Sequence, residues 1–338
     1  MLEKYLDDVR LQITKGERSK FEIIDAFNHF LPKECLDAIG SSAPGFAKQE
    51  RERALVDLDY RIKRLGDLGI DRQILSMGGS PFDTPVESHA RIARATNDGF
   101  ARIVESNRDK FHGVGVVTLS DVGVAIDELN RCVKDLGLLG VQILSNADGR
   151  PLDLPEFEPF YSKVESLGAG LWIHPAHVKN FHYWTSEYSL DYALGWGFDE
   201  SLALFRLTRG GVLERHPRLK IISHHMGVMI PFYAHRIHKT MMREGKNGRP
   251  PEPLTRPPMD YLKMLYADTA EGSWKPALVC AQLFYGASHI LFATDFPFGG
   301  VPDPNWPLQI INTIMGLDIT DEEKGMILGR NVANLFNI

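Results

Sequence analysis

Histidine and aspartate residues recur directly after short apolar runs along this 338-residue sequence. The residues concerned are His29, His174, His224, His225, Asp268 and Asp295. Imidazole and carboxylate groups bind divalent metal ions, transfer protons, or do both. A single histidine at such a position is more often a hydrogen-bonded structural residue, and a single aspartate is often a helix N-cap. Their recurrence after successive runs favours one shared site instead.

The apolar runs have the length and the β-branched composition of buried parallel strands. Eight of them follow one another: Phe21–Phe27, Gln73–Ser76, Gly113–Thr118, Gly140–Leu144, Gly170–His174, Leu219–Ser223, Met264–Ala267 and His289–Thr294. Segments with helical spacing of apolar residues lie between them, among them Arg53–Leu68, Val122–Leu136 and Ser201–Leu213. No GxGxxG motif follows the first run, which disfavours a dinucleotide fold. The sequence therefore predicts an α/β fold: a single (β/α)8 TIM barrel over residues 21–338, after an N-terminal extension over residues 1–20.

In such a barrel the carboxyl ends of all strands meet at one mouth, so the histidines and aspartates are expected to converge there. Two long loops are predicted beside this mouth, after strands 5 and 6. The first, residues 175–200, is rich in aromatic side chains that can stack on a flat ring, although packing against a partner subunit explains them equally well. The second, residues 243–258, is polar and rich in glycine and proline.

Substrate contact is assigned to four residues: Phe27, His177, Trp184 and Arg236. His177 and Trp184 lie in the aromatic loop, and Phe27 lies at the end of strand 1. The guanidinium of Arg236 can pair with a carboxylate, and a surface salt bridge is the alternative use of that side chain. These residues predict a small carboxylated molecule, aromatic or derived from a ring, as the ligand.

Composition argues against several other classes of protein. The net charge of −6 and the pI near 6.1 leave no basic surface for nucleic acid. No apolar run approaches the length of about 18 residues that a membrane span needs, and no signal sequence opens the chain, so the cytoplasm is the expected location. The odd number of cysteines, Cys35, Cys132 and Cys280, indicates isolated thiols rather than disulfides or a zinc ribbon.

Seven segments together resemble one branch of the amidohydrolase superfamily, which contains the aminocarboxymuconate-semialdehyde, γ-resorcylate and carboxyvanillate decarboxylases. They are IDAFNHFLP (24–32), GVQILSNADGRPLD (140–153), LWIHP (171–175), GVLERHPRLKIISHHMGVMIP (211–231), LYADTA (265–270), ILFATDFPFGG (290–300) and ILGRNVANLF (327–336). The resemblance implies a TIM barrel, a homodimer or higher homo-oligomer, and one divalent metal ion, zinc or manganese.

The resemblance also implies which residues hold this metal ion. The family has an HxH pair on strand 1, a histidine on strand 5 and an aspartate on strand 8, which correspond here to His29, His174 and Asp295. The strand 6 motif HxGxxxP places the acid/base or substrate-binding histidine at His225. Phe27 stands where the first histidine of the pair is expected. The metal site therefore lacks one usual ligand, so either a weakened metal site or a metal-free site is expected.

Non-oxidative decarboxylation of a small hydroxylated aromatic or ring-derived carboxylic acid is the leading functional hypothesis. Here His225 or Asp295 protonates the carbon that loses carbon dioxide. An alternative is hydrolysis of a lactone or amide, or hydration of an unsaturated acid, with Asp295 taking a proton from water. A third hypothesis is a noncatalytic homologue that binds a ligand without turnover.

Overall fold

Short parallel strands alternate with helices in the computed structural model, which describes residues 20–40, 50–78, 86–176, 187–241, 254–299 and 305–338. The strands are β1 (Ile24–Phe30), β2 (Arg72–Met77), β3 (Phe111–Gly113), β4 (Gly115–Val116), β5 (Gly140–Leu144), β6 (Gly170–His174), β7 (Lys220–Ser223), β8 (Tyr266–Asp268) and β9 (Ile290–Leu291). Successive strands pair in parallel in chain order within two sheets, β1 to β3 and β4 to β9.

Helices follow most of the strands. They are α1 (Lys33–Ile39), α2 (Glu50–Val56), α3 (Leu58–Leu68), α4 (Val86–Ser106), α5 (Val122–Lys134), α6 (Glu158–Leu167), α7 (Trp196–Arg209), α8 (Val212–Arg215), α9 (Ile230–Met241), α10 (Pro258–Leu262), α11 (Lys275–Tyr285), α12 (Trp306–Met315), α13 (Asp321–Gly325) and α14 (Asn331–Phe336). Short 3-10 turns cover Pro155–Phe157, His225–Gly227 and Ala287–His289, and π-helical turns cover Asp191–Gly195 and Met326–Arg330. No helix in these ranges is long and apolar enough to cross a membrane.

Backbone hydrogen bonds close the two sheets into one ring. The predicted third strand is divided at Val114 into β3 and β4, and the Val114 amide donates to the Leu75 carbonyl of β2. At the other junction the Ala26 amide donates to the carbonyl of Phe292, and the Asp295 amide donates to the carbonyl of Phe27. The eight-unit barrel that the sequence predicts is therefore confirmed.

Side chains that alternate along the strands fill the interior of the barrel. This inner layer contains Ile24, Ala26, Phe27, Ile74, Val114, Trp172, Ile222, Leu291, Ala293 and Val332. Trp172 is fully buried, and its indole nitrogen donates to the Ala26 carbonyl across the barrel at 3.2 Å. A second and larger apolar cluster lies between the strands and the helices. The inner layer supports the side chains that stand above it at the carboxyl ends of the strands.

Several predicted element bounds differ from those in the structure. The predicted helix Arg53–Leu68 is interrupted at Asp57, whose carboxylate caps α3 by accepting from the Tyr60 amide at 2.9 Å. The predicted aromatic loop ends earlier than expected, because helical structure begins at Asp191. Most of the predicted loop 243–258 and nearly all of the N-terminal extension lie outside the described residues, so the proposed domain limits stay a prediction. The cysteines are unpaired, as predicted.

Candidate active site

Strand alternation brings two histidines to the mouth of the barrel. On β6, Trp172 of the inner layer is followed two residues later by His174. His224 stands in the same relation to Ile222 of β7, one residue past the end of that strand. Successive strand residues face opposite sides, so both imidazoles stand above the inner layer and face the barrel axis. Asp295 lies in the segment after β9, and its carboxylate meets them there. His29 joins them from β1.

The centre of the site is a buried group of two imidazoles and one carboxylate. His29 Nε2 lies 2.9 Å from Asp295 Oδ1, and His224 Nε2 lies 3.6 Å from the same oxygen. One ligand atom from each of the three residues falls within 4.8 Å of the other two. His29 and His224 are each 1% exposed and Asp295 is 14% exposed, so the carboxylate retains some access to the mouth.

Each histidine of the site has its Nδ1 atom engaged by an oxygen acceptor. His29 Nδ1 lies 3.0 Å from the Met77 carbonyl, and His174 Nδ1 lies 2.7 Å from the Pro175 carbonyl. His224 Nδ1 lies 2.5 Å from Oδ2 of the buried Asp268. An imidazole that donates from Nδ1 to an oxygen carries its free lone pair on Nε2. With Nδ1 engaged in this way, Nε2 is the atom of each imidazole that is left to bind a metal ion.

His174 lies beside this group rather than within it. Its ring centroid is 5.2 Å from that of His29 and 5.7 Å from that of His224. Burial and the neighbouring imidazoles of His29 and His224 lower the pKa of His174 to about 3. The His174 ring is consequently neutral at physiological pH, which is the form that binds metal ions.

The charges in the site are arranged around His224. Burial acts to lower the pKa of His224, but the carboxylates of Asp268 and Asp295 outweigh it and raise the pKa to about 10. Burial would raise the pKa of Asp295, but the imidazoles of His224 and His29 hold it well below its usual range. Asp295 is therefore ionised. The position of His224 between two carboxylates favours positive charge there, carried by a proton or by a metal ion.

His225 follows directly after His224 and leaves the strand. Its φ of 51° is in the left-handed region, which a residue with a side chain rarely adopts. The turn brings the His225 ring to 3.9 Å from the His224 ring, between centroids, and leaves it half-buried. Burial, together with the charge on His224, lowers the pKa of His225 well below its usual value. Strained backbone of this kind clusters at functional sites, and the role predicted for His225 stays a prediction.

An aromatic wall, formed by Phe27, Trp196 and Phe298, encloses the imidazoles. The Phe27 ring is 4.2 Å from that of His224 and 5.3 Å from that of His29, between centroids, in edge-on geometry. Phe298 lies 5.5 Å from His29, and Trp196 of α7 lies 6.0 Å from His174. Aromatic side chains in a cleft with a few convergent polar groups are typical of sites for flat organic ligands.

Comparison with known proteins identifies the family to which this chain belongs. Residues 24–338 match the family described as Amidohydrolase. The chain belongs to the amidohydrolase family. It is 33% identical over 295 residues to the gamma-resorcylate decarboxylase of Rhizobium sp.. That alignment covers 81% of this chain and 87% of the decarboxylase. The chain is 30% identical over 291 residues to the 2-amino-3-carboxymuconate-6-semialdehyde decarboxylase of Dictyostelium discoideum, covering 83% and 77% respectively.

A solved structure of the same kind confirms the fold. The 5-carboxyvanillate decarboxylase of Novosphingobium aromaticivorans, complexed with manganese and 4-hydroxy-3-methoxy-5-nitrobenzoic acid, superposes with a TM-score of 0.83 at 25% identity. The superposition covers 96% of this chain and 98% of that one. The resemblance stated from the sequence is therefore confirmed at the level of family and fold.

The donor atoms of this amidohydrolase fit a divalent metal ion. Imidazole nitrogen and carboxylate oxygen are common ligands of zinc and manganese. Nε2 of His224 is buried and has no hydrogen-bond partner among the described residues. Its Nδ1 is oriented by Asp268, an arrangement that recurs where histidine binds a metal ion. A group of potential metal ligands is therefore present, whereas the identity of the ion is not determined by these atoms.

The residues predicted from the sequence fall into three groups. His29, His174, His225, Asp295 and Phe27 lie together at the mouth of the barrel. Arg236 lies exposed on α9, and no contact described for its side chain links it to the site. His177 and Trp184 lie outside the described residues.

His224 and Asp268 are the site residues whose importance sequence reasoning underestimated. The strand 6 motif directed attention to His225, although His224 is the residue in phase with the buried Ile222. The sequence does not reveal this phase, because the adjacent Ile221 is apolar and buried as well. The buried carboxylate of Glu200 holds His224 further, because Oε1 accepts from the His224 amide at 2.7 Å.

Proposed function

We propose that this amidohydrolase is a non-oxidative decarboxylase of a small hydroxylated aromatic carboxylic acid. The observation that carries the proposal is the buried group of His29, His224 and Asp295 at the mouth of the barrel, enclosed by the aromatic wall. Two of the relatives, the gamma-resorcylate decarboxylase and the 2-amino-3-carboxymuconate-6-semialdehyde decarboxylase, support it. So does the nitrated hydroxybenzoate bound in the solved relative.

The sequence predicts His29, His174 and Asp295 as metal ligands; His29 and Asp295 belong to the buried group of potential ligands, and His174 lies beside it. When bound, a divalent ion would supply positive charge that attracts the substrate carboxylate and a neighbouring hydroxyl and stabilises charge developing on the ring. Asp295 is ionised, so it suits the roles of ligand and base. It is a poor proton donor for the same reason.

We assign the proton donor to His225. Its ring is neutral in the resting site, and a carboxylate bound beside it would favour the protonated form. The imidazolium donates its proton to the ring carbon that carries the carboxylate, and the bond between that carbon and the carboxylate then breaks. The electron pair of this bond restores the aromatic ring, and carbon dioxide leaves. One proton is consumed for each carbon dioxide released, and His225 returns to its neutral form.

The remaining side chains position the substrate. Phe27 and Phe298 offer ring edges and faces on which a flat substrate can pack, and they exclude water from the reacting carbon. Contact of Trp184, His177 and Arg236 with the substrate stays a prediction. A homodimer, a cytoplasmic location and the choice between zinc and manganese also stay predictions from the sequence.

The test is carbon dioxide release from a panel of hydroxybenzoates, with the decarboxylated ring identified by chromatography. His225→Asn is expected to lower kcat by about 100-fold or more, because proton transfer by a positioned side chain contributes that much. His235→Asn is the matched control, since His235 is an exposed histidine on α9. Turnover of a lactone, amide or unsaturated acid without carbon dioxide release would favour the hydrolase or hydratase. Binding of ring acids without any turnover would favour the noncatalytic homologue.

A further inference from the structure

The metal site expected from the family resemblance lacks a ligand at Phe27, and the structure shows what surrounds that position. Phe27 is 1% exposed, and its ring carries no atom that can bind a metal ion. The ring that packs closest to it within the histidine cluster belongs to His224, at 4.2 Å between centroids. The loss of an imidazole on β1 is thus accompanied by an imidazole directly beside it, contributed by β7.

The second observation is the state of the His224 side chain. Its Nε2 atom is fully buried and makes no short hydrogen bond among the described residues; it faces Asp295 Oδ1 at 3.6 Å, the oxygen that His29 Nε2 approaches at 2.9 Å. Two imidazoles therefore converge on one carboxylate, and one ligand atom from each of the three residues lies within 4.8 Å of the other two. This convergence of nitrogen and oxygen donors is the arrangement that a divalent ion requires.

The third observation is how firmly His224 is held. Asp268 engages Nδ1 at 2.5 Å, and Asp268 itself accepts from the Ala270 amide at 3.0 Å. Glu200 accepts from the His224 backbone amide and from the Ser223 hydroxyl. These contacts fix both the backbone and the ring, so Nε2 is presented to the cluster in one orientation. A carboxylate that orients an imidazole in this way also makes the imidazole a better ligand.

We propose that His224 replaces the missing strand 1 histidine as a metal ligand, so that the divalent ion is held by His29, His224 and Asp295, with His174 beside them. This assignment rests on the proposed function, because the presence of a metal ion is part of that proposal. Asp268 is then a positioning residue, because it acts through His224. Compared with the family pattern, one imidazole ligand comes from the end of β7 instead of from β1, and the ligands are still imidazoles and a carboxylate.

Metal affinity of the purified, chelator-treated full-length protein tests this proposal. Equilibrium dialysis against Mn²⁺ and Zn²⁺ gives the affinity, and the visible absorption of bound Co²⁺ reports the number of nitrogen ligands. His224→Ala is expected to weaken binding by about 100-fold or more, since even partners of metal ligands are worth 10–100-fold. His225→Ala is the matched control and should bind metal within a few-fold of the wild type.

A rescue variant separates loss of a ligand from loss of the fold. Phe27→His combined with His224→Ala restores an imidazole at the other of the two adjacent positions and is expected to regain most of the affinity. Wild-type affinity in His224→Ala would overturn the proposal, as would a wild-type protein that binds none of the three ions. A double variant that stays as weak as His224→Ala would overturn the replacement.

The readout does not depend on turnover. A wild type that binds metal through His224 but decarboxylates no member of the panel would contradict the proposed function alone. Decarboxylation that proceeds unchanged after metal removal would contradict the metal site alone.

Discussion

Asp25 is a fully buried carboxyl group of β1 outside the histidine cluster, and its titration affects the stability of the protein. It accepts hydrogen bonds from the Thr294 hydroxyl at 2.6 Å and the Gln73 amide at 2.8 Å. Burial outweighs these contacts and raises the pKa of Asp25 to about 6. Because the folded state then binds a proton more tightly than the unfolded chain, this residue contributes stability that is lost as the pH rises through about 6.

Asp25→Asn removes this titration. The free energy of unfolding of the wild type, relative to that of the variant, is expected to increase by about 1.4 kcal/mol between about pH 7.5 and about pH 5. Denaturant titrations of both proteins at several pH values measure the difference, in which the other titrating groups cancel. The opposite result is a stability of the wild type, relative to the variant, that stays constant or increases as the pH rises. It would show that Asp25 is ionised throughout this range, as a partner of the buried Arg61.

Some residues of the site can be identified from the sequence and others cannot. The sequence identifies His29, His174 and Asp295, because each follows an apolar run and matches a family position. The choice between His224 and His225 depends on where β7 ends and on the left-handed turn at His225, and neither is encoded in the spacing of a motif. Strand alternation from Ile222 favours His224, but Ile221 is equally apolar, so the fold alone shows which of the two faces the barrel interior.

At the scale of the element, the pairing of β5 with β6 depends on the contact of two glycines. Gly140 and Gly170 are register partners at the start of these strands. A Cβ atom on Gly140 would meet the Gly170 carbonyl oxygen and would lie 2.6 Å from the Gly170 nitrogen. These atoms belong to the backbone and cannot rotate away, so the strands would have to separate.

Gly140→Ala is therefore expected to lower the free energy of unfolding by about 3 kcal/mol or more, at the upper end for overpacked interiors. Gly66→Ala is the matched control. Gly66 is exposed inside α3 with no atom near the added methyl group, so alanine there should stabilise the protein by about 0.5–1 kcal/mol. Thermal and denaturant unfolding of both variants measure the effects. Equal effects of the two substitutions would rule out a special role for the contact with Gly170.

The strand bounds show where sequence patterns stop being informative. The sequence predicts that strand 1 ends at Phe27, because the polar residues Asn28 and His29 interrupt the apolar run. In the structure β1 continues to Phe30. It can do so because Asn28 donates to the Ile74 carbonyl and His29 Nδ1 lies close to the Met77 carbonyl. Buried polar residues with such partners are compatible with a strand, but a partner 46 or 48 residues away is visible only in the fold.

At the scale of the whole molecule, closure of the barrel is what creates the site. Hydrogen bonds between β1 and residues 292–296 bring the beginning of the barrel against its end, and His29 meets Asp295 at that junction. His224, at the end of β7, reaches the same junction from another part of the barrel. A metal ion bound there would therefore join segments that are 266 residues apart in the sequence, from position 29 to position 295. Binding at such a junction must stabilise the closed barrel, because the unfolded chain does not assemble the ligands.

This linkage gives the last prediction. An ion that binds the native state alone adds about 2.7 kcal/mol when its concentration is about 100 times Kd. For a chain of 338 residues that free energy corresponds to a rise in Tm of about 4 °C. Calorimetry of chelator-treated protein with and without Mn²⁺ should show this rise in the wild type and in His225→Ala. In His224→Ala, whose affinity is expected to be about 100-fold lower, the rise should fall below about 1 °C at the same Mn²⁺ concentration. An equal rise in His224→Ala would mean that the ion binds away from the junction, where β7 has no part in holding it.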